Sequence, residues 1–458
     1  MTITRFRGGS RSGRWARRGA VAFGTALAVL FSVSVPAGAA TVIHVDQANA
    51  SCSDTGPGTE ATPLCHIAPA AGRAVAGDTV LVHSGTYAEQ VTVTSSGTQA
   101  LPITFAEAPG STVTITGPAG CGPVTATTPC NGVRINSKSW IVVRGFTIAD
   151  TVGHGINVTK STHITIDGNE VSGAGEPAMG TVFRGISLAT TTDSIVQGNN
   201  VHHNSDSGIF LGAGANGNQI LNNSSSNNAR GYTRAAVGID VRGALNTVVN
   251  ANLTFANEDS GINIWSGATG CVVTNNVSYG NGDHGIDNKG SNNTRILSNT
   301  IYLATNSGIE VVNSTGVGLA NNISVDNGLG PQSSDGNVFV DALSAPTITL
   351  NYDLVFLGGP GVMMEFNGTE YSSLAQFTAA TGQEANGLQA DPKFKNVAQN
   401  NFALTAGSPA IDSADSGVAN HPQVDKNGKP RKDDANTANT GVGPRTFDDR
   451  GAYEFSSK

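Results

Sequence analysis

The chain has 458 residues, 58 of them glycine, with 6% aromatic and 13% charged residues. Glycine at that density, in a chain long enough for a large core, favours β structure with many tight bends. A net charge of −8 repels nucleic acid. After the first forty residues no stretch reaches the ~18 consecutive apolar residues of a membrane span. Neither nucleic acid nor a membrane is therefore expected as a partner, and the protein is expected to act as a monomer.

Residues 1–39 read as a signal peptide. Arg5, Arg7, Arg11, Arg14, Arg17 and Arg18 precede the apolar run AVAFGTALAVLFSVSV, and PAGAA supplies small residues for cleavage near Ala39. Arg17 and Arg18 match a twin-arginine signal poorly, so ordinary secretion is expected. Removing these six arginines leaves 20 Lys+Arg against 34 Asp+Glu, a mature charge of −14. Five cysteines fit an oxidising compartment. The spacings Cys52/Cys65 and Cys121/Cys130 suggest two disulfides that staple N-terminal loops, and Cys271 reads as a small buried hydrophobe.

From residue 153 onward the sequence repeats: GHGINVT, FRGISLA, DSGIFLG, AVGIDVR, DSGINIW, DHGIDNK and NSGIEVV. Their glycines are Gly155, Gly185, Gly208, Gly238, Gly261, Gly285 and Gly308, 23 to 30 residues apart. A period of that size marks a stacked solenoid. Short alternating runs such as NQILNNS and TRILSNTIY, with no 3.6-residue periodicity, make each repeat a coil of several short strands. A second column follows each glycine by 14 or 15 residues: Asn169, Asn200, Asn223, Asn252, Asn276, Asn299 and Asn322. It reads as an asparagine ladder.

These features resemble the right-handed parallel β-helix of the pectate lyase superfamily over roughly residues 75 to 345. The resemblance implies an all-β solenoid over 40–345 whose N-terminal cap includes a helix at IAPAAGRAV. Residues 346–458 break the period, contain the helix-like SLAQFTAATGQE, and are expected to form a C-terminal cap.

Alternation sorts the repeat columns. The residue after each glycine and the one two further on are aliphatic and face the core. The outward column two after the glycine reads Asn157, Ser187, Phe210, Asp240, Asn263, Asp287 and Glu310, and the column four after reads Thr159, Ala189, Gly212, Arg242, Trp265, Lys289 and Val312. Two before the glycine stand Asp206, Ala236, Asp259, Asp283 and Asn306 in the later coils. Polar chemistry therefore gathers over the coils of Gly238, Gly261, Gly285 and Gly308. Like charges on neighbouring strands repel, so Asp287 over Glu310 implies compensation by a cation, Arg242 or Lys289. Asn288, at an otherwise aliphatic core position, is either a feature of this site or a bulge.

DHGID resembles the DDGxD-type calcium cluster of one family of secreted pectate lyases. The resemblance implies Ca2+ held by Asp259, Asp283 and Asp287, a hard-oxygen set. His284 stands where that family has its middle acid, and no lysine occurs from 290 to 392, where its base would fall. On this reading Lys289 is the base, Arg242 pairs with a substrate carboxylate, and Trp265 offers a flat surface for a sugar ring. Asn263, Asp240, His284 and Glu310 complete the substrate contacts. The expected activity is calcium-dependent β-elimination on a uronate polysaccharide. The alternatives are glycoside hydrolysis by paired carboxyls, Asp240 with Asp287 or Asp287 with Glu310, uronate epimerisation, and carbohydrate binding without turnover.

Overall fold

The computed structural model describes residues 40–118, 130–175, 182–229, 236–330 and 335–456. The expected signal peptide and Cys121 lie outside them. Three sheets of twelve strands each run from Val42 to Gln389, and from Thr79–Val82 to Met364–Phe366 successive strands visit the three sheets in turn. Each strand pairs in parallel with its counterpart one coil away, as in Ile262–Trp265 beside Ile286–Lys289. This is the expected β-helix.

The glycine-led strands form one sheet, from Val91–Val93 to Met364–Phe366, closed by the antiparallel Thr369–Tyr371. Their aliphatic positions stack into the core: Ile239, Val241, Ile262, Ile264, Ile286, Ile309 and Val311 are buried within one continuous cluster. The leading glycines serve close approach rather than unusual backbone angles. A Cβ on Gly155 would lie 2.7 Å from the Gly185 carbonyl oxygen and collide with Val171, and one on Gly285 would lie 2.6 Å from the Gly308 oxygen. Because the obstacle is the backbone of the next coil, it cannot rotate away. Gly155→Ala, remote from the acidic column, should lower stability by about 1–3 kcal/mol, the usual cost of overpacking. Urea unfolding checks this, and an unchanged midpoint would remove the steric account of the repeat.

The asparagine ladder is present with one correction. It runs Asn169, Asn199, Asn223, Asn252, Asn276, Asn299, Asn322, and each side-chain amide donates to the next side-chain oxygen at 2.9–3.0 Å. Asn199, not Asn200, holds the rung; Asn200 begins a strand and is exposed. A second ladder, Asn204, Asn228, Asn257, Asn281, lines the turn before the glycine-led strands. The first ladder ends on Asp353, which accepts from Asn322 at 2.9 Å.

The helix at Ile67–Arg73 caps the N-terminal end, where the Glu89 carboxylate accepts from the amides of Ile67 and Ala68 at 2.7 Å each. Cys52 and Cys65 form a disulfide, Cys130 is disulfide-bonded, and Cys271 is buried and free. Past the predicted boundary at 345 the solenoid continues through Thr349–Asn351, Leu354–Phe356 and Met364–Phe366. These strands lack the glycine-led motif, which hid their coil from a reading based on the period. The second helix, Leu374–Thr381, begins at Ser373, whose hydroxyl accepts from the Gln376 amide. Beyond it the chain folds back over the third sheet. There Phe255 and Tyr279 stack at 5.1 Å under Phe402, and Lys426 donates to the Ala251 carbonyl at 2.6 Å.

Candidate active site

The predicted outward column is brought into register on adjacent strands: Phe210, Asp240, Asn263, Asp287, Glu310 and Phe339. Beside it run Arg242, Trp265, Lys289 and Val312. The column points away from the core, yet its polar members are covered. Asp240 is 0% exposed, Asn263 5%, Asp287 8% and Glu310 9%. Three successive coils each leave one buried oxygen without a hydrogen-bond donor: Asp240 Oδ1, Asn263 Oδ1 and Asp287 Oδ1. Such groups are costly when unpaired.

Burial is the main reason the Asp240 and Asp287 carboxyls are harder to ionise than in water. Asp240 is pushed up to about 6 by desolvation, opposed by Arg242, whose Nε donates to Asp240 Oδ2 at 2.8 Å. Asp287 is raised well above the carboxylate range by desolvation, by the charge of Glu310, and by the hydrogen bond between the two side chains. Asp287 and Glu310 thus form an interacting pair on adjacent strands, in which the charge of Glu310 opposes ionisation of Asp287.

His284, buried at the start of the same strand, sits between partners. Its Nδ1 is 2.9 Å from Ser307 Oγ, and its Nε2 is 3.3 Å from Asp283 Oδ1 and 3.4 Å from Glu310 Oε2. Arg242 lies over the Trp265 ring, 4.4 Å from its centroid. Arg184 lies 3.6 Å from the Phe210 centroid and pairs with Asp206 at 3.3 Å. Arg184 and Ser307 were not among the predicted site residues. Both occupy the position just before the glycine, a column reading His154, Arg184, Ser207, Val237, Ser260, His284, Ser307. Its near-continuous polarity is the signal that would have found them.

Other expectations fare differently. Lys289 is exposed, aligned between Trp265 and Val312. Asn288 is no bulge: it keeps register with Ile264 and Val311 and bonds inside the coil to Ser291 O and Ser314 Oγ. Of the expected calcium ligands, Asp259 and Asp287 lie close enough for their charges to interact. Asp259 accepts from its own neighbour Ser260, Asp283 accepts from the Asn306 amide, and Asp287 faces Glu310. Among the described residues no group of three or more His, Cys, Asp or Glu is placed to hold a metal ion.

A family model of the Pel9A-like right-handed β-helix region matches residues 47–330. The chain belongs to the Pel9A-like β-helix family. Solved structures of this architecture include pectate lyase Pel9A, 15% identical with a TM-score of 0.53 over 91% of this chain and 96% of that one. The lacto-N-biosidase of Eubacterium ramulus is 14% identical with a TM-score of 0.52 over 71% and 67%. XylC in complex with xylose is 14% identical with a TM-score of 0.50 over 77% and 87%. At these identities the likeness establishes the fold alone. The uncharacterized protein YwoF of Bacillus subtilis (strain 168) is 36% identical over 129 residues, 26% of this chain, so the chain matches about a quarter of that relative, 27% of its length. The Pel9A-like scaffold is thus one found in lyases and glycosidases alike, and the chemistry of this member rests on its own column of side chains.

Proposed function

We propose that the protein is an exported glycoside hydrolase in which Asp287 is the general acid and Glu310 the nucleophile. The observation that carries this reading is the buried, hydrogen-bonded contact between these two side chains on adjacent coils. The two carboxyls meet in this structure, and a bound sugar would have to part them toward the roughly 5–5.5 Å separation of retaining enzymes, a spacing that adjacent strands about 4.8 Å apart allow. Asp240 stands two coils from Asp287, about 9.6 Å by the same spacing, the reach of an inverting pair, but Arg242 already engages it.

In the first step Glu310 attacks the anomeric carbon as the glycosidic C–O bond breaks, and the leaving oxygen takes the proton of Asp287. Water then attacks the glycosyl ester, the bond to Glu310 breaks, and Asp287 takes the water proton. The half-buried Trp265 supplies an apolar face to a sugar ring. That XylC has been solved with xylose and that a lacto-N-biosidase shares the fold support a carbohydrate substrate. The Cys52–Cys65 disulfide supports export.

Incubation with neutral and uronate glycans should release new reducing ends with retained anomeric configuration, read by proton NMR, and EDTA should leave the rate unchanged. Unsaturated-uronate absorbance that disappears with EDTA would sink the hydrolase and favour the calcium-dependent lyase.

A further inference from the structure

We propose that the turn row beside the acidic column is a second carbohydrate-binding site, a groove for neutral sugar rings separate from the residues that cleave. It rests on the glycan-cleaving reading of Asp287 and Glu310, and on observations those residues do not enter.

The residue that follows each third-sheet strand, from Asp150 to Asp326, has left-handed backbone with φ between 51° and 66°. Glycine, aspartate and asparagine suit that conformation, and they fill most of these coils, as at Gly173, Asn227 and Gly280. Leu303 occupies the same position with φ 56° and is 49% exposed. A leucine there carries backbone strain without the compensation of burial. His203 and Ala256 share this backbone in other coils, but Leu303 is the one large aliphatic side chain of the row and it is left exposed, which points to a use for it.

Leu303 lines a cavity of about 360 Å³ with Asn281, Thr305 and Leu329. Leu329, itself 44% exposed, and Gly330 also line the next cavity, about 690 Å³, walled by Pro360, Tyr371 and Gln376. The two share a wall and together form one groove along the coils, within the size range of ligand sites. Its place beside the column follows from the chain. Asn281 is two residues before Asp283, and Thr305 adjoins Asn306, whose amide bonds Asp283.

The lining names the occupant. Apolar side chains at Leu303, Leu329, Pro360 and Tyr371 alternate with polar edges at Asn281, Thr305 and Gln376, the pairing that a pyranose presents as a C–H face rimmed by hydroxyls. The charged residues lining it are Asp326 and Glu370. Both are acids and would repel a uronate, so the groove selects uncharged rings.

The test is affinity electrophoresis of the Asp287→Asn protein through gels cast with arabinoxylan, glucomannan, mixed-linkage β-glucan or polygalacturonate. At least one neutral polymer should retard it and polygalacturonate should not. Adding Leu303→Asn and Tyr371→Ala should weaken the retardation about tenfold, the worth of one lost stacking contact. Leu303→Asn alone should raise the melting temperature, because asparagine accepts the left-handed backbone, which separates lost binding from lost folding. Unchanged retardation after the substitutions, retardation only by polygalacturonate, or none by any polymer would each overturn the groove. So would a change of sedimentation from dimer to monomer on the same substitutions, which would give the surface to a second copy of the chain. Retention of binding by a native protein that cleaves nothing would leave the groove standing and remove the hydrolase. Cleavage with a KM insensitive to the groove substitutions would do the reverse.

Discussion

Asp287→Asn should abolish turnover and stabilise the protein at neutral pH. The general acid is worth about 10²–10⁴-fold in rate, and an amide cannot supply its proton, so kcat should fall by at least that factor. The fold responds the other way. Asp287 is held well above the usual carboxylate range by burial and by the charge of Glu310. A carboxyl with a raised folded pKa contributes its full stability below its unfolded pKa, about 3.9, and loses it as pH rises through the folded value. Asparagine does not titrate, and it can donate a hydrogen bond to Glu310. The melting temperature of the variant should therefore match that of the native protein near pH 4 and exceed it increasingly as pH rises through 7. Thermal melts across that range, alongside kcat, test both halves. Activity within tenfold of native, or a lower melting temperature at pH 7, would remove Asp287 from the role of buried acid.

Asn252→Ala should cost about 3–5 kcal/mol, from roughly 1–3 for each buried group left unpaired. The Asn252 oxygen accepts from the backbone amide and the side-chain amide of Asn223, and its own amide donates to Ile220 O and to the Asn276 oxygen. Alanine orphans the Asn223 donors and the Ile220 carbonyl in the interior, where water cannot replace the side chain. A loss of that size is a large part of the 5–15 kcal/mol available to a typical fold. Urea unfolding measures it, with Asn200→Ala as the control. Asn200 matches the sequence period but is exposed, so its loss should stay within about 0.5 kcal/mol. Equal effects at the two positions would contradict the ladder.

The pair of experiments also marks how far the sequence could be read. The glycine spacing and the alternation after each glycine located the coils, the core positions and the column Asp240, Asn263, Asp287, Glu310, because strand geometry turns sequence parity into facing direction. The ladder register slipped by one at Asn200, since two consecutive asparagines, Asn199 and Asn200, fit the period equally and only the turn backbone chooses between them. Arg184 and Ser307 were missed because they stand at the turn, where alternation no longer assigns a face.

By itself the sequence determined the β-helix, its period, the capping helices at Ile67–Arg73 and Leu374–Thr381, and which side chains share a column. Those properties depend on local repetition along the chain. Only the tertiary structure decided what the column does electrostatically. Burial and contact between coils made Asp287 hard to ionise opposite Glu310, tied Arg242 to Asp240, and turned Asp259 and Asp283 toward Ser260 and Asn306. Desolvation, and the partners of Asp287 and Asp283 on the next coil, which lie 23 residues away in sequence, exist only once the coils are stacked.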